Sequence, residues 1–167
     1  MASIAACAGA VVGASLTAWS DPAASLPSTR MSKSKSKHTS EIHFRDPDGV
    51  MYDQWHFSQA VRTGRTLHCS GQLGLAADGS VPPEFTEEAG NAWAAVGRVL
   101  ESAGFDFRDI VEYTSFHVGL QSTLPDFMRA RDAVLAEPWP AWTAIGISEL
   151  AVPGARVEIR VTARKRA

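Results

Sequence analysis

Hydrophobic and polar positions along the chain switch between two rhythms, one of two residues and one of three to four. Glu41–Phe44 and Trp55–Val61 read as extended segments. Thr66–Leu73 follows the turn Thr63-Gly64-Arg65, so the last two segments are expected to pair as a hairpin. Asp78-Gly79 and Pro82-Pro83 mark a loop. Thr86–Ala103 then carries Ala89, Trp93, Val96, Val99, Leu100 and Ala103 at helical spacing. Thr86 is placed to cap this helix, Glu87 and Glu88 to sit in its first turn, and Gly104 to end it. Asp109–Leu120 is rich in β-branched and aromatic residues, and Leu124–Leu135 reads as a second helix stopped before Pro138 and Pro140. Ala141–Ile147 and Arg156–Ala163 complete the pattern as strands.

Two strands bear on assembly. In Ile110–Val118, Val111 and Tyr113 fall on one face and Ile110, Phe116 and Val118 on the other, so apolar groups need cover on both sides. In the last strand Val157, Ile159, Val161 and Ala163 alternate with Arg156, Glu158, Arg160, Thr162 and Arg164. Two helices cover one face of a sheet. The second face is therefore expected to meet another subunit.

The chain of 167 residues, 45% hydrophobic and 20% charged, suits one globular domain. Met1–Ser20 holds no charged residue, and Ile4–Trp19 is mostly Ala, Gly and Val. A secretory signal would begin with a basic segment, which is missing, and these small residues make a weakly apolar membrane span. A start at Met31, a disordered extension and a targeting or anchoring segment all remain open for Met1–Arg30. Ser32–Ser40 reads as a flexible polar arm. The expected organisation is thus an extension over 1–40 and a folded domain over 41–167, with a cytoplasmic setting.

Net charge is −2, but it is unevenly spread. Glu41–Ile159 contains eight arginines, no lysine and seventeen carboxylates, a balance of −9. Positive charge gathers in Lys33, Lys35 and Lys37 and in Arg160, Arg164, Lys165 and Arg166. An acidic body argues against a surface that tracks phosphates, so no nucleic-acid partner is expected. Cys7 and Cys69 form no disulfide framework, and the five histidines lack metal-ligand spacing, so neither metal nor cofactor is expected. His68-Cys69-Ser70 is no catalytic cluster, because neighbours on a strand point to opposite faces. Cys69 reads as a small buried group. Glu158 reads either as a surface carboxylate paired with Arg156 and Arg160 or as a site group.

The ordered motifs Phe57-Ser58-Gln59-Ala60-Val61, Ser70-Gly71-Gln72-Leu73-Gly74, Pro140-Ala141 and Val157-Glu158-Ile159 resemble the Rid family of reactive-intermediate deaminases, also called the YjgF or L-PSP family. Ala92–Leu100, Glu101-Ser102-Ala103-Gly104 and Asp109-Ile110-Val111 fit the same template, so the resemblance covers about Trp55 to Arg164. It implies a chorismate-mutase-like α+β fold: a mixed sheet with two helices on one face, assembled as a homotrimer around a central barrel. It also implies small-molecule clefts between subunits, in which enamines and imines are hydrolysed without a cofactor. The family's water-activating glutamate falls on Glu158. Ser70, Gly71 and Gln72 keep their motif as substrate-binding positions. Two positions depart: the family's carboxylate-binding arginine is Trp142, and its tyrosine is Phe57. A guanidinium fork gives a carboxylate two hydrogen bonds and a charge, whereas an indole gives one N–H. Trp142 is expected to face the Glu158 water site, and Arg131 on the second helix is a candidate for a displaced positive charge. Alternatives to an imine deaminase are a non-catalytic binding or regulatory trimer and, more remotely, a ribonuclease or translation inhibitor.

Overall fold

The computed structural model describes residues 41–47 and 50–166, so the expected extension over 1–40 lies outside the described residues. Seven strands form one mixed sheet: β1 (Glu41–Phe44), β2 (Ala60–Thr63), β3 (Thr66–Cys69), β4 (Gln72–Leu73), β5 (Ile110–Val118), β6 (Ala141–Ile147) and β7 (Val157–Arg164). Their order is β1-β2-β3-β7-β5-β6, with β4 also paired to β7. Among the described residues only the β5–β6 pair is parallel, and α3 (Leu120–Asp132) makes its crossover. The fold is α+β, with a mixed sheet carrying α2 (Phe85–Ser102) and α3 on one face, as expected.

β7 binds the two halves together, and its alternation is what the sequence pattern leads one to expect. Val157, Ile159, Val161 and Ala163 are buried, at most 1% exposed, beneath α2 (Phe85–Ser102) and α3. Ala89, Ala92, Trp93, Val96 and Leu100 of α2 cover them, and Trp93 meets Tyr113 and Phe127 edge-on or tilted at 5.3 and 5.9 Å. Each such large side chain stabilises the fold by roughly 1.5–3 kcal/mol. Glu88 is fully buried in the first turn of α2 and is satisfied there: the amides of Arg156 and Val157 donate to Oε1, and Arg156 Nε donates to Oε2 at 2.7 Å. That pairing ties the helix to the start of β7 and takes Arg156 away from Glu158.

Several local expectations are corrected. Trp55–Val61 is not one extended run. Asp46 accepts from the amides of Met51 and Tyr52 at 3.0 and 3.1 Å and starts a short helix, α1 (Val50–Trp55), a third helix beside the expected two. Thr86 does not cap α2, because the N-cap is Glu84 and its side chain makes no cap bond. At the other end, Gly104 at φ +74° lets its own amide and that of Phe105 bond back to Glu101 and Leu100, closing α2 as foreseen. The helix α3 begins at Leu120, four residues early, after Gly119 in the left-handed region, and carries Pro125 inside it. It also ends earlier, at Asp132.

The expected strand Thr66–Leu73 is broken. His68 pairs with Thr162 but Gln72 with Ile159, so β3 and β4 hold one more residue than the facing stretch of β7. A similar shift at Val111 puts Ile110 and Tyr113 on the same buried face of β5, together with Ser115 and His117. The expected division of that strand, with Ile110 opposite Tyr113, is overturned by this bulge. Val111 is left 47% exposed.

Candidate functional site

The bulge at Ser70-Gly71 is held by side chains of the two early motifs. Ser70 Oγ donates to the Ser58 carbonyl at 2.7 Å, and its amide donates to the Gln59 carbonyl. Gln72 is buried, and its amide nitrogen reaches Gln59 Oε1 and the carbonyls of Ser70 and Gly71 at 3.0 to 3.1 Å. Gln72 therefore shapes the loop, and Ser70 keeps lone pairs but has spent its proton. Phe57 is half-buried on the segment that the loop grips.

Glu158 rises from β7 over this bulge. It is opposite Leu73 on one side and Phe116 on the other, on the sheet face away from α2 and α3. A Cβ built on Gly71 would lie 1.8 Å from Glu158 Oε1, so the carboxylate occupies the space that a side chain there would need. The Glu158 carboxylate makes no hydrogen bond or ion pair with another described residue. Burial alone pushes its carboxyl above the usual range. The pairing with Arg156 and Arg160 does not form: Arg156 is held by Glu88, and Arg160 lies across from Thr114.

Trp142 belongs to a second group. It pairs with Tyr113 in the β5–β6 register and turns to the helix side of the sheet. Its Nε1 donates to the buried Ser115 hydroxyl at 2.9 Å, and its ring stacks on Tyr113 at 5.6 Å and on Phe127 at 5.9 Å. The Arg131 guanidinium stands 5.0 Å from the ring centre and is ion-paired to Asp132 at 2.6 Å. Burial raises the Tyr113 pKa, opposed by the Arg131 guanidinium beside it. The expectation that Trp142 faces Glu158 fails within one protomer, since strand parity puts them on opposite faces. Tyr113 and Ser115, which orient the indole, escaped the sequence reading; their only signal was alternation with Phe116 on a strand whose bulge was not visible.

The structure thus brings Gly71 to Glu158 and Arg131 to Trp142. Ser70 and Gln72 hold the loop that carries Gly71, with the Gln72 side chain on the face of Ile159 rather than of Glu158, and Phe57 precedes the Ser58-Gln59 segment to which that loop is bonded. His68 and Cys69 diverge as expected: His68 is exposed, whereas Cys69 is buried with its thiol pushed up to about 12 by desolvation. No helix among the described residues is long and apolar enough to cross a membrane.

The site is thus a carboxylate lodged over a glycine bulge, on the face of a mixed α+β sheet that α2 and α3 leave uncovered. Residues 51–165 match the family described as Endoribonuclease L-PSP, and the chain belongs to that family, the one also named for YjgF and Rid. It is 36% identical over 115 residues to the RutC family protein YjgH of Escherichia coli K12, covering 68% of this chain and 86% of that one. It is also 36% identical over 112 residues to the 2-iminobutanoate/2-iminopropanoate deaminase of Capra hircus, covering 64% of this chain and 78% of the deaminase. The solved structure of Protein YJGH superposes with a TM-score of 0.65 at 35% identity, over 73% of this chain and 93% of the other.

Proposed function

We propose that this protein hydrolyses the C=N bond of small reactive imines, and of enamines that tautomerise to them, in clefts between the subunits of a homotrimer. The observation that carries this reading is the unpaired Glu158 carboxylate, half-buried over Gly71 with its pKa raised by burial. In that state it is a stronger base than a solvated carboxylate. Glu158 takes a proton from water as the oxygen adds to the imine carbon. That proton passes to the imine nitrogen, giving a carbinolamine; Glu158 then carries the hydroxyl proton to the nitrogen as the C–N bond breaks, so that ammonia leaves and the C=O bond of the product forms. Neither a metal nor a cofactor is needed for these steps, because the imine carbon is already electrophilic.

Trp142 and Glu158 lie on opposite faces of one sheet, so a ligand touching both requires two protomers. β6 is an edge strand, paired only to β5 among the described residues, and is available to lie along the open face of a neighbour. With Trp142 in the family's arginine position, we assign the displaced cation role to Arg131, whose guanidinium lies over the indole. The deaminase-named relatives support the reaction class.

The test uses 2-iminopropanoate generated by a dehydratase, with its decay compared to spontaneous hydrolysis. The protein should accelerate decay and Glu158→Gln should return it to background. Arg131→Met should raise KM for this carboxylate-bearing imine about 10- to 100-fold and leave a carboxylate-free imine unaffected. A folded protein with no acceleration on either imine would favour the non-catalytic binding reading.

A further inference from the structure

One end of the sheet collects the cations that the acidic body lacks. A cavity of about 510 Å³ opens between the β2–β3 turn, the start of β5, the segment before β6 and the end of β7. Arg65, Arg108, Arg164, Lys165 and Arg166 line it, with Asp109 as the lining carboxylate. Most of these groups are already held in place. Arg65 donates to the Lys165 carbonyl at 3.0 and 2.5 Å, Lys165 Nζ binds Asp109 at 2.6 Å, and Arg166 donates to the Arg108 carbonyl at 3.3 Å. Arg108 is paired with Asp106 at 3.0 Å, while Arg164 has no ion pair among the described residues. Holding five cations around one cavity against two paired carboxylates is unfavourable without an anion. Trp139, 56% exposed, stands on the wall of the same cavity.

We propose that this cavity is a binding site for a phosphorylated small molecule with a planar ring, of the nucleoside diphosphate class. Guanidinium forks suit phosphate oxygens, an exposed indole beside them suits a stacked ring, and the volume falls within that of small-ligand sites. The site shares no residue with the Glu158 or Trp142 groups, so it stands whether or not the imine reaction does.

Titration calorimetry of the full chain at low salt, with ADP, pyrophosphate, adenosine and a single-stranded RNA oligomer, tests it. ADP should bind more tightly than pyrophosphate, and adenosine should not bind measurably. The double change Arg164→Ala with Arg166→Ala should weaken ADP about 10- to 100-fold, with an unchanged melting temperature and an unchanged rate of imine decay. Trp139→Ala should weaken ADP about 5-fold or more while leaving pyrophosphate as it was. The proposal is overturned if ADP binds no better than adenosine, if the arginine variants bind as the parent does, or if only the RNA oligomer binds.

Discussion

The Glu158 carboxylate fills the space that a side chain on Gly71 would require, with Oε1 1.8 Å from where that Cβ would stand. The clash involves the end of a flexible side chain, so relief is cheap in stability and expensive in position. Gly71→Ala should therefore cost less than about 1 kcal/mol in urea unfolding, yet reduce imine turnover at least about 10-fold. Equal losses in both would mean that the glycine matters for folding alone.

Glu158 titrates above the ordinary carboxylate range because it is partly buried. Its protonated form is thus favoured by folding: the stabilising contribution is present below the unfolded pKa and is lost as pH rises through the folded one. At neutral pH the ionised group costs stability, and Glu158→Gln should raise Tm while removing turnover. In the parent, kcat/KM should fall on acidification with a midpoint above the 4.5 of a solvated glutamate. Activity that persists undiminished below that value would count against Glu158 as the base.

Trp142→Arg should not simply restore a carboxylate clamp. The indole is stacked between Tyr113 and Phe127, bonded to Ser115, and already beside the Arg131 guanidinium. A second guanidinium there removes aromatic packing and adds like-charge repulsion, so the variant should lose about 2–4 kcal/mol. Pairing it with Arg131→Leu should recover part of that loss, read in a double-mutant cycle of urea midpoints.

His117 is fully buried against Phe127, and burial lowers its pKa to about 4. The unfolded chain binds this proton near pH 6.5 and the folded chain resists it. Stability present above 6.5 should therefore fall by on the order of 3 kcal/mol as pH drops towards 4. His117→Leu should flatten that limb of a Tm-against-pH curve.

The open face of the sheet and the free edge of β6 call for partners. Sedimentation equilibrium at micromolar concentration should give about three times the 17.9 kDa chain mass. A monomer there would leave the Trp142 and Glu158 groups on separate sites.

Much of the architecture was written in periodicity. Ala141–Ile147 was recognised with its observed bounds, and the buried row Val157, Ile159, Val161 and Ala163 was read correctly from alternation. What escaped depended on single residues acting at a distance in sequence. Asp46 starts α1 through its side chain, a signal too short for any periodic window. The spacing of Leu124, Phe127 and Met128 sets the expected start of α3 at Leu124, whereas Gly119 and the hydroxyls of Ser122 and Thr123 bonded to its carbonyl begin it at Leu120. At the site, motif order brought out Ser70, Gly71 and Glu158. The direction of Trp142 was not legible, because a motif names a position and only the register names a face.

The additional residue at Ser70-Gly71 sets the two halves of the sheet one position out of phase. A loop that joins two strands can lengthen or shorten while its flanking strands keep their faces. Here a one-residue deletion would turn Leu73 towards α2 and swing the Gln72 amide out of its bonds, with no change in overall hydrophobicity to mark the damage. A graft of this site into another sheet must therefore carry the odd residue count of the bulge as well as the glutamate. Among the described residues, length tolerance should have sharp minima here and at Val111, where β5 carries the other register shift.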